Sequence, residues 1–212
     1  MRAFITALGC VGLLVLIGSG MMLAPSAAHA QDKFLSQGDS LIGTEFFFAS
    51  TTTEVDNEKF DRTNIELSVS FGRMLTDSFS LGVEFVFARD DTDNGTANRL
   101  IAGIAPEYFI PISSTDTNAL ALYIRAGIGI AHESAEDDTG EISGIGLALF
   151  GDAGLAYRIG SDGGAIVRFG VGISHISIEL EAYGKGVLAN ESATVDTKYT
   201  TIGATVGISA YF

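Results

Sequence analysis

Apolar side chains recur at every second position along most of this chain. The pattern is strictest in residues 79–89, where Phe79, Leu81, Val83, Phe85 and Phe87 are all apolar. The last twelve residues, "TIGATVGISAYF", follow the same rule. Because the side chains of a strand point alternately to its two faces, this period of two predicts strands with one apolar face.

Eight strands follow when the chain is divided at this period. Their predicted bounds are 40–52, 62–74, 79–89, 98–110, 119–131, 143–158, 164–180 and 201–212. Pro106 is a weak point of the fourth strand, because proline removes a ladder donor and usually needs an edge or a bulge. In the seventh strand the apolar positions change phase after Ile173, which predicts either a bulge or an exit from the apolar environment near Ser174 and His175.

The segments between these strands alternate in character. Short turns are predicted at 75–78, 111–118 and 159–164, and acidic loops at 53–61, 90–97, 133–141 and 181–196. Short turns at one end and longer polar loops at the other are typical of an antiparallel meander that spans a membrane.

The first thirty residues resemble a secretory signal peptide rather than part of the fold. Arg2 supplies a positive region, residues 11–24 an apolar one, and Ala28–His29–Ala30 a small-x-small cleavage site. We expect residues 1–30 to be removed and residues 31–212 to form one barrel domain. Since Cys10 is the only cysteine, the mature chain is expected to have no disulfide and no thiolate site.

Charge and hydropathy exclude two classes of protein. The chain has 12 basic and 26 acidic residues, so it lacks the basic face that nucleic acid requires. It is also 47% hydrophobic, yet its most apolar stretch after residue 30, at 119–131, carries Arg125 in its middle. A membrane-spanning helix needs about 20 uninterrupted apolar residues, so helical spanning is excluded.

A membrane barrel and a soluble sheet remain as alternatives. A soluble β-sandwich or lipocalin-like barrel would have outer faces rich in Lys, Glu, Thr and Asn, whereas here the faces opposite the apolar ones are mostly Gly, Ser and Ala. An open sheet cannot lie in lipid, because its edges would leave backbone groups unpaired. The sequence therefore predicts an all-β, eight-stranded, antiparallel up-and-down transmembrane β-barrel whose first and last strands pair, with both termini on the periplasmic side.

Two segments carry a family resemblance. "SFGRMLTDSFSLGVEFVF" (70–87) is similar to the hairpins of small bacterial outer-membrane proteins, and "GISAYF" resembles the terminal-aromatic signal of such barrels. The chain as a whole resembles the OmpA/OmpX-type barrels. The resemblance implies that Ile208, Ala210 and Phe212 are read by the barrel-assembly machinery. Without tryptophan, the interfacial belts are left to Tyr and Phe.

Six charged residues are predicted to lie about midway along their strands on the lumen face. They are Glu45, Glu66, Glu84, Arg125, Asp152 and Arg168. Buried charges must pair, because an unpaired one costs several kcal/mol. We expect a plug that stabilises the barrel, since an eight-stranded interior is normally filled by side chains. A gated narrow pore is the alternative.

His175 and Ser177 form the one pattern with a possible catalytic meaning. They share a strand face, and Glu179, Glu181 or Glu191 could orient the histidine in a Ser-His-acid arrangement. The pair resembles the His-x-Ser of the lipid A deacylases of the PagL family, although Ile178 stands where that family has Asn. A polar patch at the point where the strand leaves the membrane is the simpler interpretation.

The acidic loops are interpreted as solvated segments. Residues 90–100 lack EF-hand spacing, so neither a metal nor a cofactor is expected. The expected protein is a non-enzymatic, monomeric barrel of the bacterial outer membrane, surrounded by lipid and lipopolysaccharide, with a role in envelope structure or surface interaction. The alternatives are a narrow channel and a lipid A hydrolase using His175 and Ser177.

Overall fold

The computed structural model describes residues 33–212 except 56–57, 93–94, 116, 138–139, 162 and 185–191. The predicted signal peptide lies outside these residues. The strands are β1 Ser40–Val55, β2 Glu58–Met74, β3 Phe79–Thr92, β4 Gly95–Ser114, β5 Asn118–Asp137, β6 Gly140–Ile159, β7 Gly164–Gly184 and β8 Ser192–Tyr211. Among the described residues, no helix is long and apolar enough to cross a membrane.

The eight strands form a closed barrel in chain order, each antiparallel to its neighbours. β1 and β8 close it, with Phe46 opposite Val206. Closure continues to the chain end, because Ser40 and Phe212 exchange backbone hydrogen bonds of 2.8 and 3.1 Å. The predicted architecture is confirmed, and it is the one that the OmpA/OmpX-type resemblance implies. We call the end with Ser40 and Phe212 the terminal end and the opposite end the distal end.

The outer surface of the barrel carries a continuous apolar belt. Its exposed side chains come from every strand and include Phe46, Ile65, Phe87, Ile104, Ile128, Ile145, Phe169 and Ile208. The six charged residues predicted for the lumen are all buried. An apolar outside around a polar inside is the arrangement of a transmembrane barrel and the reverse of a soluble one.

The strands are longer than predicted at their distal ends. Most residues assigned to acidic loops continue the strands, so that β1 and β2 pair up to Val55 and Glu58. The predicted strands ended too early because their bounds were set where apolar residues stop alternating with small or polar ones. Beyond the belt the outward positions are polar, and the alternation is no longer visible in hydropathy.

The structure shows the outcome at two positions where the sequence predicts an irregular strand. β4 keeps its register past Pro106, although Ala105 and Pro106 have no paired partner among the described residues of β5, and a register shift lies between Pro111 and Ser113. β7 pairs with β6 and β8 through His175 without a bulge. The phase change after Ile173 therefore marks the exit from the belt, the second of the two alternatives: Ile176 and Ile178 point into the barrel, and Glu179 points out.

Two apolar layers fill the barrel at its ends. The terminal layer contains Phe34 and Leu35, which precede β1, together with Met74, Phe109 and Tyr123. The distal layer is formed by Ile101, Ala131, Ala148, Ile176, Ile178, Leu180 and Tyr199, with Val86 and Phe150 against it. Charged side chains lie between the two layers, and further charged side chains, among them Arg99 and Glu133, lie at the level of the distal layer or beyond it.

Candidate functional site

The centre of the lumen is organised around Arg125 of β5. Its Nε donates to Asp152 Oδ1 of the adjacent β6 at 2.6 Å, and its NH2 donates to Glu45 Oε2 of β1, across the barrel, at 2.6 Å. Glu84 Oε2 of β3 lies 3.5 Å from NH1. One guanidinium thus joins carboxylates from three other strands, since all four side chains fall on lumen positions of the strand period.

A second ion pair lies on the terminal side of this cluster. Arg168 of β7 donates from Nε and NH2 to the two oxygens of Glu107 of β4, at 3.0 and 3.1 Å. It also donates to Ser209. The guanidinium carbon lies 5.8 Å from the ring centroid of Phe109 and 6.0 Å from that of Tyr123. The pair is therefore in contact with the terminal apolar layer.

A third ion pair lies on the distal side. Arg99 NH2 of β4 donates to Glu66 Oε1 of β2 at 2.7 Å, and the guanidinium lies over the Tyr199 ring, 4.8 Å from its centroid. Asn64 also donates to Glu66, at 3.1 Å. Tyr199 in turn donates from its hydroxyl to Glu133 of β5.

The six lumen charges of the sequence analysis are thus divided between three groups. Glu45, Glu84, Arg125 and Asp152 meet at the centre, Arg168 pairs with Glu107, and Glu66 pairs with Arg99. Glu107, Arg99 and Glu133 were missed as network members. For Glu107 and Arg99 a signal was present, because both lie on the lumen face of the fourth predicted strand. Glu133 fell in a segment assigned to a loop.

A small cavity borders the central cluster. Its volume is about 50 Å³, and Glu45, Asp152 and Ser174 are among its lining residues. Glu45 Oε1, Asp152 Oδ2 and Ser174 Oγ are buried and have no hydrogen-bond partner among the described residues. The cavity has room for about one or two water molecules, at about 30 Å³ each. The free volume at the centre of the lumen is therefore small compared with the volume of the side chains that surround it.

A larger cavity of about 430 Å³ lies at the distal end of the lumen. Its walls include the apolar side chains of Val55, Ile142, Leu180 and Val195 and the polar groups of Arg99, Glu133 and Thr197. We call this cavity the vestibule.

His175 and Ser177 lie on the outward face of β7, past Ile173 and opposite Leu149 and Leu147 of β6. His175 Nδ1 is 3.1 Å from Thr200 Oγ1, so the ring nitrogen that an acid would orient is in contact with a hydroxyl. Glu179 and Glu181 are on the same face but farther along the strand, opposite Asp196 and Thr194. Glu191 lies outside the described residues. The described contact of His175 is thus with a threonine hydroxyl, and both the polar patch and the hydrolase stay predictions.

Within the described part of the chain, no group of three or more His, Cys, Asp or Glu side chains is arranged to hold a metal ion. Parts of the acidic segments, including 93–94, 138–139 and 185–191, lie outside it.

Comparison with known proteins gives similarity of structure only. No family model matches the chain, and no curated protein sequence matches it. Among solved structures, the attachment invasion locus protein Ail of Yersinia pestis is 17% identical, with a TM-score of 0.41, over 83% of this chain and 99% of that one.

Two proteins of Pseudomonas aeruginosa are similar to a comparable degree. The outer-membrane protein OprG is 16% identical, with a TM-score of 0.48, over 84% of this chain and 97% of that one. The N-terminal β-barrel domain of OprF is 14% identical, with a TM-score of 0.46, over 83% and 98%. The features that relate this chain to a membrane are its own closed barrel and its own apolar belt.

Proposed function

We propose that this protein is a monomeric integral β-barrel of the outer membrane of a Gram-negative-type bacterium, with a lumen closed by its own side chains. Its role is in envelope structure or surface interaction, without catalysis. The observation that carries the proposal is the stack of lumen layers: an apolar terminal layer, the ion pairs of Arg168 and Arg125, and an apolar distal layer.

The membrane location is supported by the apolar belt. Phe46, Ile128 and Phe169 lie on different sides of the barrel and are each about half exposed. Such a surface around the whole barrel would aggregate in water, whereas in lipid it has an apolar solvent. Barrels of this kind belong to outer membranes, and the predicted signal peptide would direct the chain across the inner membrane.

Closure of the lumen is supported by the size of the free space at its centre. The cavity beside Arg125 is about 50 Å³, and Val86, Ile101 and Phe150 of the distal layer are among its lining residues. Separating the ion pairs to open a path would leave charges buried without partners, at about 3–5 kcal/mol for each broken pair. A conducting path through this lumen is therefore costly to form.

A role at the cell surface is supported by the distal parts of the strands. Beyond the belt, outward positions carry polar and acidic side chains such as Glu179, Glu181 and Asp196. These polar faces extend the barrel above the membrane plane and present an acidic surface to solvent. A partner at this surface would bring complementary positive charge.

Two experiments test the proposal. Heat-modifiable gel mobility in outer-membrane fractions would show a compact barrel, and a band that migrates identically with and without boiling would contradict the membrane assignment. Single-channel recordings in planar bilayers should be silent for the wild type and for Arg125→Ala, because the two apolar layers persist in the variant. Regular conductance steps in the wild type would favour the narrow channel instead.

The absence of catalysis is tested separately. Mass spectrometry of lipid A from cells with and without the protein should give the same acylation pattern. Loss of an acyl chain that depends on His175 would overturn this part of the proposal and support the hydrolase.

A further inference from the structure

The barrel wall has a break between β2 and β3. Their pairing runs from the terminal end to Glu66 and Ala88 and ends there among the described residues. Each strand nevertheless continues: residues 58–65 of β2 remain paired with β1, and residues 89–92 of β3 with β4. The two hairpins thus separate at their distal ends, although each one is intact.

The break begins at the distal rim of the apolar belt. Ile65 and Phe87 are the outward-facing neighbours of Glu66 and Ala88, the last paired residues, and both are exposed belt residues. The next outward residue of β3 is Arg89. Unpaired backbone groups are too costly for the hydrocarbon core. A break that starts at this level instead faces the headgroup region, where water and polar groups can hydrogen-bond to the unpaired backbone groups.

A second cavity lies on the outer surface at this position. Its volume is about 430 Å³, and Phe46, Ile65, Leu67, Phe87 and Leu100 form its apolar part. It shares Ala88, Arg89, Asn98 and Arg99 with the vestibule. The vestibule and this outer cavity therefore meet at the break, with cationic side chains at the junction and belt residues toward the membrane.

Arg99 has donor capacity left at this junction. Its side chain is 10% exposed, its NH2 is bonded to Glu66, and its Nε has no hydrogen-bond partner among the described residues. A guanidinium has five N–H donors and readily bonds a second carboxylate. In the vestibule wall, the buried Thr197 hydroxyl also has no such partner. A buried donor without an acceptor indicates that an acceptor group belongs there.

We propose that this break is a binding site for a fatty-acid-like, single-chain amphiphile from the outer leaflet. Its carboxylate bonds Arg99, and its acyl chain lies along Ile65, Phe87 and Leu100 in the outer cavity. The volume of about 430 Å³ is near the lower end of the range for ligand pockets, about 300–1,000 Å³, which suits one chain rather than a lipid with several. The inference rests on the membrane location in the proposed function and does not depend on a closed lumen.

The site can be tested by photolabelling residues 31–212, the chain without its predicted signal peptide, in phospholipid nanodiscs. The probe is a dodecanoic acid analogue with a diazirine next to its carboxyl group. We expect saturable labelling of peptides that contain Arg99 and Thr197, displaced by unlabelled dodecanoate and not by dodecylammonium. Labelling that does not saturate, or that both competitors displace equally, would overturn the proposal.

Three variants give the test its controls. The double variant Glu66→Gln with Arg99→Gln removes the cation without leaving a carboxylate unpaired, and Ala88→Phe fills the junction of the two cavities. Each should raise the half-saturating probe concentration by about tenfold or more, because a charge-assisted contact or the space for it is lost. Arg73→Gln, an exposed arginine at the other end of β2, should leave it unchanged.

Heat-modifiable mobility separates the two proposals and is measured on every variant. A compact barrel without saturable labelling would refute the amphiphile site and leave the proposed function standing. An unchanged half-saturating concentration in both compact variants would likewise refute it.

Discussion

Arg168 and Glu107 meet across the lumen through two hydrogen bonds, from Nε at 3.0 Å and from NH2 at 3.1 Å. The strands that carry them, β7 and β4, are not neighbours in the barrel. The pair therefore joins opposite walls at the level where the terminal apolar layer begins. The same contact therefore stabilises the barrel and fills part of its lumen.

Replacing one partner of this pair should destabilise the barrel. Glu107→Gln leaves the Arg168 guanidinium buried without a carboxylate, and we expect a loss of about 3–5 kcal/mol in the free energy of unfolding. Denaturant titration in lipid, followed by the gel shift between folded and unfolded forms, measures it. Adding Arg168→Gln should restore part of the loss, and Glu179→Gln, at an exposed position, should have no effect. Equal midpoints for Glu107→Gln and the wild type would contradict the expectation.

The segment before β1 is predicted to stabilise the barrel without being its only closure. Phe34 is 0% exposed and stacks on Phe109, with ring centroids 4.9 Å apart. Phe34→Ala should lower the free energy of unfolding by about 3 kcal/mol, because it leaves a cavity in the terminal layer. Phe34→Leu should cost clearly less. Bilayer recordings of Phe34→Ala should remain silent, and channel steps would show that the layers beyond it do not close the lumen.

The same segment should respond to acid. A hydrogen bond from Lys33 holds the pKa of Asp77 below its usual value, and the Gln37 amide acts in the same direction. Since the folded-state pKa is below the unfolded one, this stabilisation is complete above about pH 3.9. It is lost as the pH falls through the folded-state value.

Both partners of this contact are exposed, so solvent screening makes its effect on global stability small. The chemical shift of the Gln37 amide, followed by nuclear magnetic resonance, should report the titration. Asp77→Asn should abolish the acid titration of the Gln37 amide shift, and Asp39→Asn, a control for a neighbouring carboxylate, should leave it in place. A wild-type amide that does not titrate would refute the coupling.

The last residue is predicted to matter for assembly more than for stability. Phe212 is 71% exposed on the outer face, so its ring adds little packing, whereas its backbone pairs with Ser40. Phe212→Ala keeps the backbone bonds and should reduce outer-membrane levels in cells, while refolding in lipid gives a nearly unchanged unfolding midpoint. Normal levels in the membrane would count against its part in the assembly signal.

The same substitution at two adjacent positions near the distal end of β7 should cause very different losses of stability. Ile178 is buried in the distal apolar layer, and Ser177 points outward. Ile178→Asn should cost about 2–4 kcal/mol through lost packing and a buried polar group, and Ser177→Asn less than about 0.5 kcal/mol. Unfolding titrations of the two variants measure these losses. A larger loss for Ser177→Asn than for Ile178→Asn would mean that β7 does change phase.

The positions of the lumen charges could be predicted, but their partners could not. Alternation in the sequence places Glu45 and Arg125 on the face opposite the apolar residues, and the structure places both in the lumen. The pairing of Glu66 with Arg99, rather than with the central cluster, depends on the tilt of the strands and on their register around the barrel. These are set by all eight strands together, so no single segment contains the information.

The distal end shows where sequence reasoning ended too soon. Ile176 and Ile178 follow the apolar belt of β7 directly, and they were out of phase with it because a strand that leaves lipid reverses the polarity of its two faces. From the sequence, both a bulge in β7 and an exit of β7 from the apolar environment therefore remained possible. The unbroken register with β6 and β8 decides between them.

The sequence by itself determined the eight strands, their faces and the closure between β1 and β8, because a period of two and the cost of unpaired backbone in lipid leave few alternatives. Only the tertiary structure decided which charges meet, that Phe34 and Leu35 fill the terminal end, and that β2 and β3 separate beyond Glu66 and Ala88. These features arise from contacts between residues far apart in the chain. Their geometry exists only when the whole barrel is closed.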